Sequence, residues 1–193
     1  MLRFLADPIW GMLMFWLLFY LTSVRYFDLK QIAIFAWMPF LAADLGSMFG
    51  GVVSLWLQKY AGASLINARR GAFTVGALLM TGMAFVGFVN NPYTAIALLC
   101  LGGFAHQTLS VTVITMASDL FRRNEVATVA GMAGTCGNAG VLVFSLMIGA
   151  LVARIGYTPF FICLGVLDLL GAVILWTLVR PSGADLVPAP SRV

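Results

Sequence analysis

A chain of 193 residues that is 62% hydrophobic and 9% charged holds enough apolar residues for six bilayer crossings of about 20 residues each. It has too few charges to cover a water-facing surface, which excludes a soluble globular domain and a disordered chain. The net charge of +4 is spread over single basic residues and the pairs Arg69-Arg70 and Arg122-Arg123, so no polybasic patch exists and no nucleic-acid partner is expected.

The first predicted span covers 8–24, is uncharged, and ends at the turn Arg25-Tyr26-Phe27-Asp28-Leu29-Lys30. It is long enough to cross, and no small-residue cleavage site follows it, so it reads as a mature span and not as a signal peptide. The second span, 31–57, is interrupted only by Asp44 and leads into the loop 58–70. From 71 to 118 no charge appears, which is too long for one crossing. The turn signal Asn90-Asn91-Pro92 divides it into spans at 71–89 and 93–117. The charged cluster 119–125 separates these from a fifth span at 126–153. After Arg154 a sixth span runs over 159–179 with Asp168 inside it. Residues 181–193, with three prolines and one glycine, are expected to form a disordered tail.

The fold class is therefore all-α: a membrane bundle of six transmembrane helices over residues 1–180, with membrane lipid as its solvent. Alternating the loops puts Arg3, Lys59, Arg69, Arg70, Arg122, Arg123, Arg180 and Arg192 on one side and Arg25, Lys30 and Arg154 on the other. The positive-inside rule then makes both termini cytoplasmic. Gly131, Gly134, Gly137 and Gly140 recur every three residues in span five, and Gly46, Gly50 and Gly51 lie in span two. Small residues at such spacing let helices approach closely. Cys100, Cys136 and Cys163 sit singly in apolar runs and read as packing residues, with no disulfide or metal role.

A few polar groups at membrane depth are candidates for function, because lipid offers them no hydrogen bonds. Asp44 must be protonated, partnered or wetted, and it either carries a proton or bonds to a neighbouring helix. His106 and Gln107 lie mid-span, with Ser110 one turn from His106 on the same face. They contact a substrate or bond across helices. Asn138, on the glycine ridge of span five, either donates to a substrate hydroxyl or joins two helices. Trp37 offers an aromatic face for stacking or for packing. The single His, with no Cys-His pair and no Gly-x-Ser-x-Gly, leaves no constellation for an enzyme, a metal or a cofactor.

Four stretches resemble the major facilitator superfamily, and within it the anion:cation symporters that include bacterial hexuronate and other sugar-acid permeases. They are Asp7-Pro8-Ile9-Trp10, then Phe35 through Trp37-Met38-Pro39 to Asp44-Leu45-Gly46-Ser47. The third runs from Gly50-Gly51 to Ala68-Arg69-Arg70. The last joins Ala105-His106-Gln107, Ser118-Asp119-Leu120-Phe121 and Val129-Ala130-Gly131-Met132-Ala133-Gly134. Leu109 and Thr112 stand where hexuronate-like members carry Trp and Asn, which weakens the case for a hexuronate. The resemblance implies two inverted three-helix repeats in the cytoplasmic (inner) membrane. It implies a central cavity lined by the first, second, fourth and fifth spans, which leaves Asp168 out of the site. It also implies the C-terminal half of a transporter moving a small organic anion with a proton, whose partner is a missing N-terminal six-helix half. On that reading His106, Gln107, Ser110, Asn138 and Trp37 bind substrate and Asp44 couples the proton. The alternative is a truncated or split-gene product with no transport activity of its own.

Overall fold

The computed structural model describes residues 2–179, so the tail expected at 181–193 lies outside the described residues. Helix α1 spans Leu2–Ser23 and α2 spans Leu29–Ala61. Helix α3 spans Leu65–Met80 and runs on as a 3-10 segment, Thr81–Phe85. Helices α4, Pro92–Leu120, α5, Val126–Ile155, and α6, Thr158–Leu178, complete the chain. Among the described residues, five helices, all but α3, are long and apolar enough to cross a membrane. The predicted third span at 71–89 is the exception. Its α-helix starts earlier and stops at Met80, where the Thr81 hydroxyl donates to the Leu78 carbonyl at 2.7 Å and the chain tightens.

Local chemistry explains the boundaries. Asp28 and Gln31 form a reciprocal capping box that opens α2. Pro39 has no N–H to donate one turn back, and α2 is broken between Phe35 and Met38 accordingly. Gly62, at φ +61°, ends α2 in the left-handed conformation that glycine adopts without strain. Asn91 accepts from the Tyr93 amide at 2.9 Å and Pro92 follows it, which starts α4. Helix α1 begins at Leu2 and not at Pro8, because a proline near a helix start sacrifices little and Asp7 already donates its amide to the Arg3 carbonyl.

Helix α4 is the centre of the bundle and packs on α2, α3, α1 and α5. The α2–α4 approach is set by Gly46. A methyl group there would overlap the Phe104 carbonyl, and the Thr108 hydroxyl donates to the Gly46 carbonyl at 2.9 Å. Helix α1 is fixed to α5 by Trp16 Nε1 donating to Ser145 Oγ at 2.9 Å. At the loop end, Arg25 reaches across to the carbonyls of Val86 and Val89 at 2.8 and 2.7 Å and lies over the Tyr20 ring. The core between them is apolar, with Ile9, Leu13, Phe73, Met83, Leu99 and Phe161 fully enclosed.

Burial is uneven. Of the apolar stretches of α1 and α4, 56% is enclosed by the bundle, against 17% for α2 and 22% for α5. Leu41, Leu45, Met48 and Val52 on α2 are exposed, as are Met132, Leu142 and Leu146 on α5.

Candidate functional site

The polar interior gathers on one face of α4. His106 and Ser110, one turn apart, are 3% and 7% exposed. Thr108 and Thr112 on the same helix are also buried, but their hydroxyls are used: Thr108 donates to Gly46 and Phe104 carbonyls, and Thr112 to the Thr108 carbonyl at 2.7 Å. The His106 ring stacks on Trp10 of α1 with centroids 5.7 Å apart and planes 21° from parallel. Trp10 in turn meets Phe40 of α2 edge-on at 5.8 Å. This aromatic column holds the imidazole at the junction of α1, α2 and α4, and its Nδ1 has no hydrogen-bond partner. A buried nitrogen of that kind is an open donor or acceptor position for a ligand.

One turn below Trp10, Arg3 and Asp7 form a two-point ion pair. Nη2 lies 3.1 Å from Oδ2, and Nε lies 3.4 Å from Oδ1. Asp7 is 7% exposed because its carboxylate rests directly on Gly137 of α5, where a side chain of any size would displace it. Arg3 lies in the first turn of α1. Arg3 also borders a cavity of about 510 Å³ lined otherwise by apolar side chains such as Leu2, Met116, Ala130 and Leu175. That cavity does not include His106, Gln107 or Asn138.

The remaining sequence-derived residues are dispersed. Gln107 is half-buried beside His106. Trp37 is 54% exposed at the break in α2. Asp44 is exposed, and it is its backbone carbonyl that accepts from Ser47 at 2.7 Å. Asn138 is exposed and donates to the Gly134 carbonyl of its own helix at 3.0 Å. Helix geometry brings His106, Gln107 and Ser110 together, and the bundle does not bring Trp37, Asp44 or Asn138 to them.

Sequence reasoning missed Trp10, Arg3 and Asp7 as neighbours of His106. A signal was present, since an Arg-x-x-x-Asp pair at four-residue spacing lies on one helix face and neutralises itself. It also left out Asp168, which is 2% exposed with Oδ1 unpartnered. Among the described residues no three His, Cys, Asp or Glu side chains gather as a metal site.

No family model matches the chain. It is 48% identical over 178 residues to the hexuronate transporter of Escherichia coli strain K12, which is 92% of this chain and 41% of that protein. The chain is a homologue of the sugar-acid transporters of the major facilitator superfamily. A galacturonate transporter of Dickeya chrysanthemi is 46% identical over 95 residues, 49% of this chain and 28% of that protein. A D-galactonate transporter of Escherichia coli is 27% identical over 169 residues, 87% of this chain and 38% of that protein. This transporter homologue thus spans about two fifths of the length of the hexuronate and D-galactonate transporters it matches. With its five apolar helices of spanning length it is a multi-pass membrane protein.

Proposed function

We propose that this chain is the C-terminal six-helix half of a secondary active transporter that moves a sugar acid or related carboxylate, with a proton, across the cytoplasmic membrane. The observation that carries this reading is the 48% identity with a hexuronate transporter over 92% of the chain. The named relatives favour a sugar acid even though Leu109 and Thr112 depart from the hexuronate-like pattern. The sixth crossing is α3 with its 3-10 continuation. Its sixteen and five residues rise about 24 Å and about 10 Å, enough for a hydrocarbon core of about 30 Å. Both termini face the cytoplasm, and the six helices form two inverted three-helix repeats.

The second half would cover the exposed faces of α2 and α5, the two helices the bundle encloses least. Trp37, Asp44 and Asn138 project from those helices and would contribute at that seam, with Asp44 the proton carrier. His106, Gln107 and Ser110 would meet the substrate from α4.

The test is uptake in proteoliposomes. The 193-residue chain alone is expected to show no saturable sugar-acid uptake under an imposed pH gradient. Co-expression with a matching N-terminal half is expected to restore it, and His106→Ala to abolish it with insertion intact. Saturable uptake by the chain alone would overturn the half-transporter reading. Failure with every matching half would favour a product without transport activity.

A further inference from the structure

The cavity of about 510 Å³ that Arg3 borders takes no part in the function proposed above, and its lining is chemically one-sided. It opens among the ends of four helices: the first turn of α1, the last turns of α4 and α6, and the beginning of α5. Along α4 it runs from Phe121 back to Val113, eight residues and so about 12 Å inward from the helix end. Among the described residues, Arg3 is its one charged lining residue, and every other side chain around it is Ala, Val, Leu, Ile, Met or Phe.

Alanines make the space. Ala117 of α4 and Ala130 and Ala133 of α5 line the cavity, and small residues at a helix interface ordinarily let backbones close up. Further along α5 they do close: Gly137 receives the Asp7 carboxylate and Gly140 meets the Phe4 backbone. Helix α5 is thus seated on α1 there and leaves a gap toward α4 and α6 at its beginning. An apolar gap of this size forfeits dispersion contacts unless something fills it.

The lining selects the occupant. A sugar acid would bury its hydroxyls against side chains that cannot bond them, which is costly. A purely apolar molecule would leave the guanidinium unused. Asp7 takes Nε and Nη2 of Arg3 at 3.4 and 3.1 Å, and Nη1 makes no hydrogen bond among the described residues, so one donor group is left for an acceptor. Arg122 and Arg123, both exposed, directly follow Phe121 at the outer end of the cavity. Of the acidic residues in that loop, Asp119 is held by Arg69 at 3.0 Å and Glu125 accepts from the Arg122 amide at 3.1 Å. An occupant with a hydrocarbon chain and an anionic head fits both parts, and a bilayer offers such molecules at this level.

We propose that the cavity binds an anionic phospholipid, with one acyl chain lying along α4 between α5 and α6 and the phosphate at Arg3 Nη1, near Arg122 and Arg123. The site is separate from His106 and from the exposed face of α2, and it stands whether or not the chain is half of a transporter.

Native mass spectrometry of the full 193-residue chain, released from detergent micelles carrying equal amounts of phosphatidylglycerol and phosphatidylcholine, tests this. The chain is expected to retain one phosphatidylglycerol in preference to phosphatidylcholine. Ala130→Trp, which fills the cavity and leaves every charge in place, is expected to abolish that adduct. The double variant Arg3→Gln with Asp7→Asn, which removes the ion pair without stranding a buried carboxylate, is expected to lower the preference about fivefold. Equal retention of the two lipids by the unaltered chain would overturn the proposal. So would phosphatidylglycerol undiminished in Ala130→Trp, which would mean binding to the exposed arginines alone, or a lipid-free dimer, which would give the cavity to a second copy. Should Ala130→Trp fail to fold, the double variant decides, and an undiminished preference in it overturns the proposal. Uptake does not enter this readout, so a negative transport result leaves it standing.

Discussion

Helices α1, α4 and α6 treat their polar residues differently from α2 and α5. On the first three, Asp7, His106 and Asp168 are each enclosed. On the other two, Asp44 and Asn138 are exposed. Asp44 and Asp168 are the same residue near the middle of two apolar helices, and their neighbourhoods are opposite. The difference teaches that a polar residue at membrane depth acquires its meaning from which helix faces meet. Where helices close on it, it is cut off from lipid and depends on whatever partner lies within reach, as Arg3 does for Asp7. Where none does, it awaits lipid or another set of helices.

The sharpest way to break this contrast is at the closest approach. Gly46→Ala drives a methyl group into the Phe104 carbonyl and is expected to cost about 3 kcal/mol, because a backbone cannot yield as a side chain does. Gly51→Ala, on the same helix with open space around it, is expected to gain up to about 1 kcal/mol from helix propensity. Thermal melting of the two variants in one detergent checks both, and equal losses would show that α2 does not seat on α4 through Gly46.

Next comes the loop-end clasp. Arg25→Ala removes the bonds to the Val86 and Val89 carbonyls and the contact with Tyr20. A loss of about 2 kcal/mol is expected, since the carbonyls lose charge-assisted partners. Faster proteolysis at the turn near Asn90 should accompany it.

Trp16→Phe keeps the ring near α5 but removes the donor to Ser145, and about 1 kcal/mol is expected. Pairing it with Ser145→Ala in a double-mutant cycle isolates that bond. Non-additivity near zero would mean the contact does not hold α1 to α5.

The smallest effect belongs to Asn138→Ala. Its amide bonds only within its own helix, on an exposed face, so melting is expected to move by less than about 0.5 kcal/mol. That near-neutrality makes it the cleanest variant for uptake measurements in an assembled transporter. A large loss of stability would show that α5 packs through this face.

Apolar runs, turn chemistry and capping residues are local properties, and they were legible in the chain: the breaks at Arg25–Lys30, at Asn91-Pro92 and at Arg154–Thr158 lie where helices end. Four quoted stretches likewise pointed to the sugar-acid permeases, and the relatives agree. In the third segment the change from α-helix to 3-10 after Met80 leaves no mark in hydropathy, so the bounds 71–89 differ from the helical residues Leu65–Met80 and Thr81–Phe85.

What the sequence by itself determined is the apolar character of the segments and most helix ends, because hydropathy and turn and capping chemistry are local properties. What only the tertiary structure decided is which polar groups meet. His106 faces Trp10 because α1 crosses α4 there, Asp7 is buried because residue 137 of α5 is glycine, and Asp168 is enclosed because α6 turns that face into the bundle. Periodicity places a residue on a face, but the rotation of that face toward a neighbour is set by packing of the whole bundle, where one small residue admits a backbone or a carboxylate that a larger one would exclude.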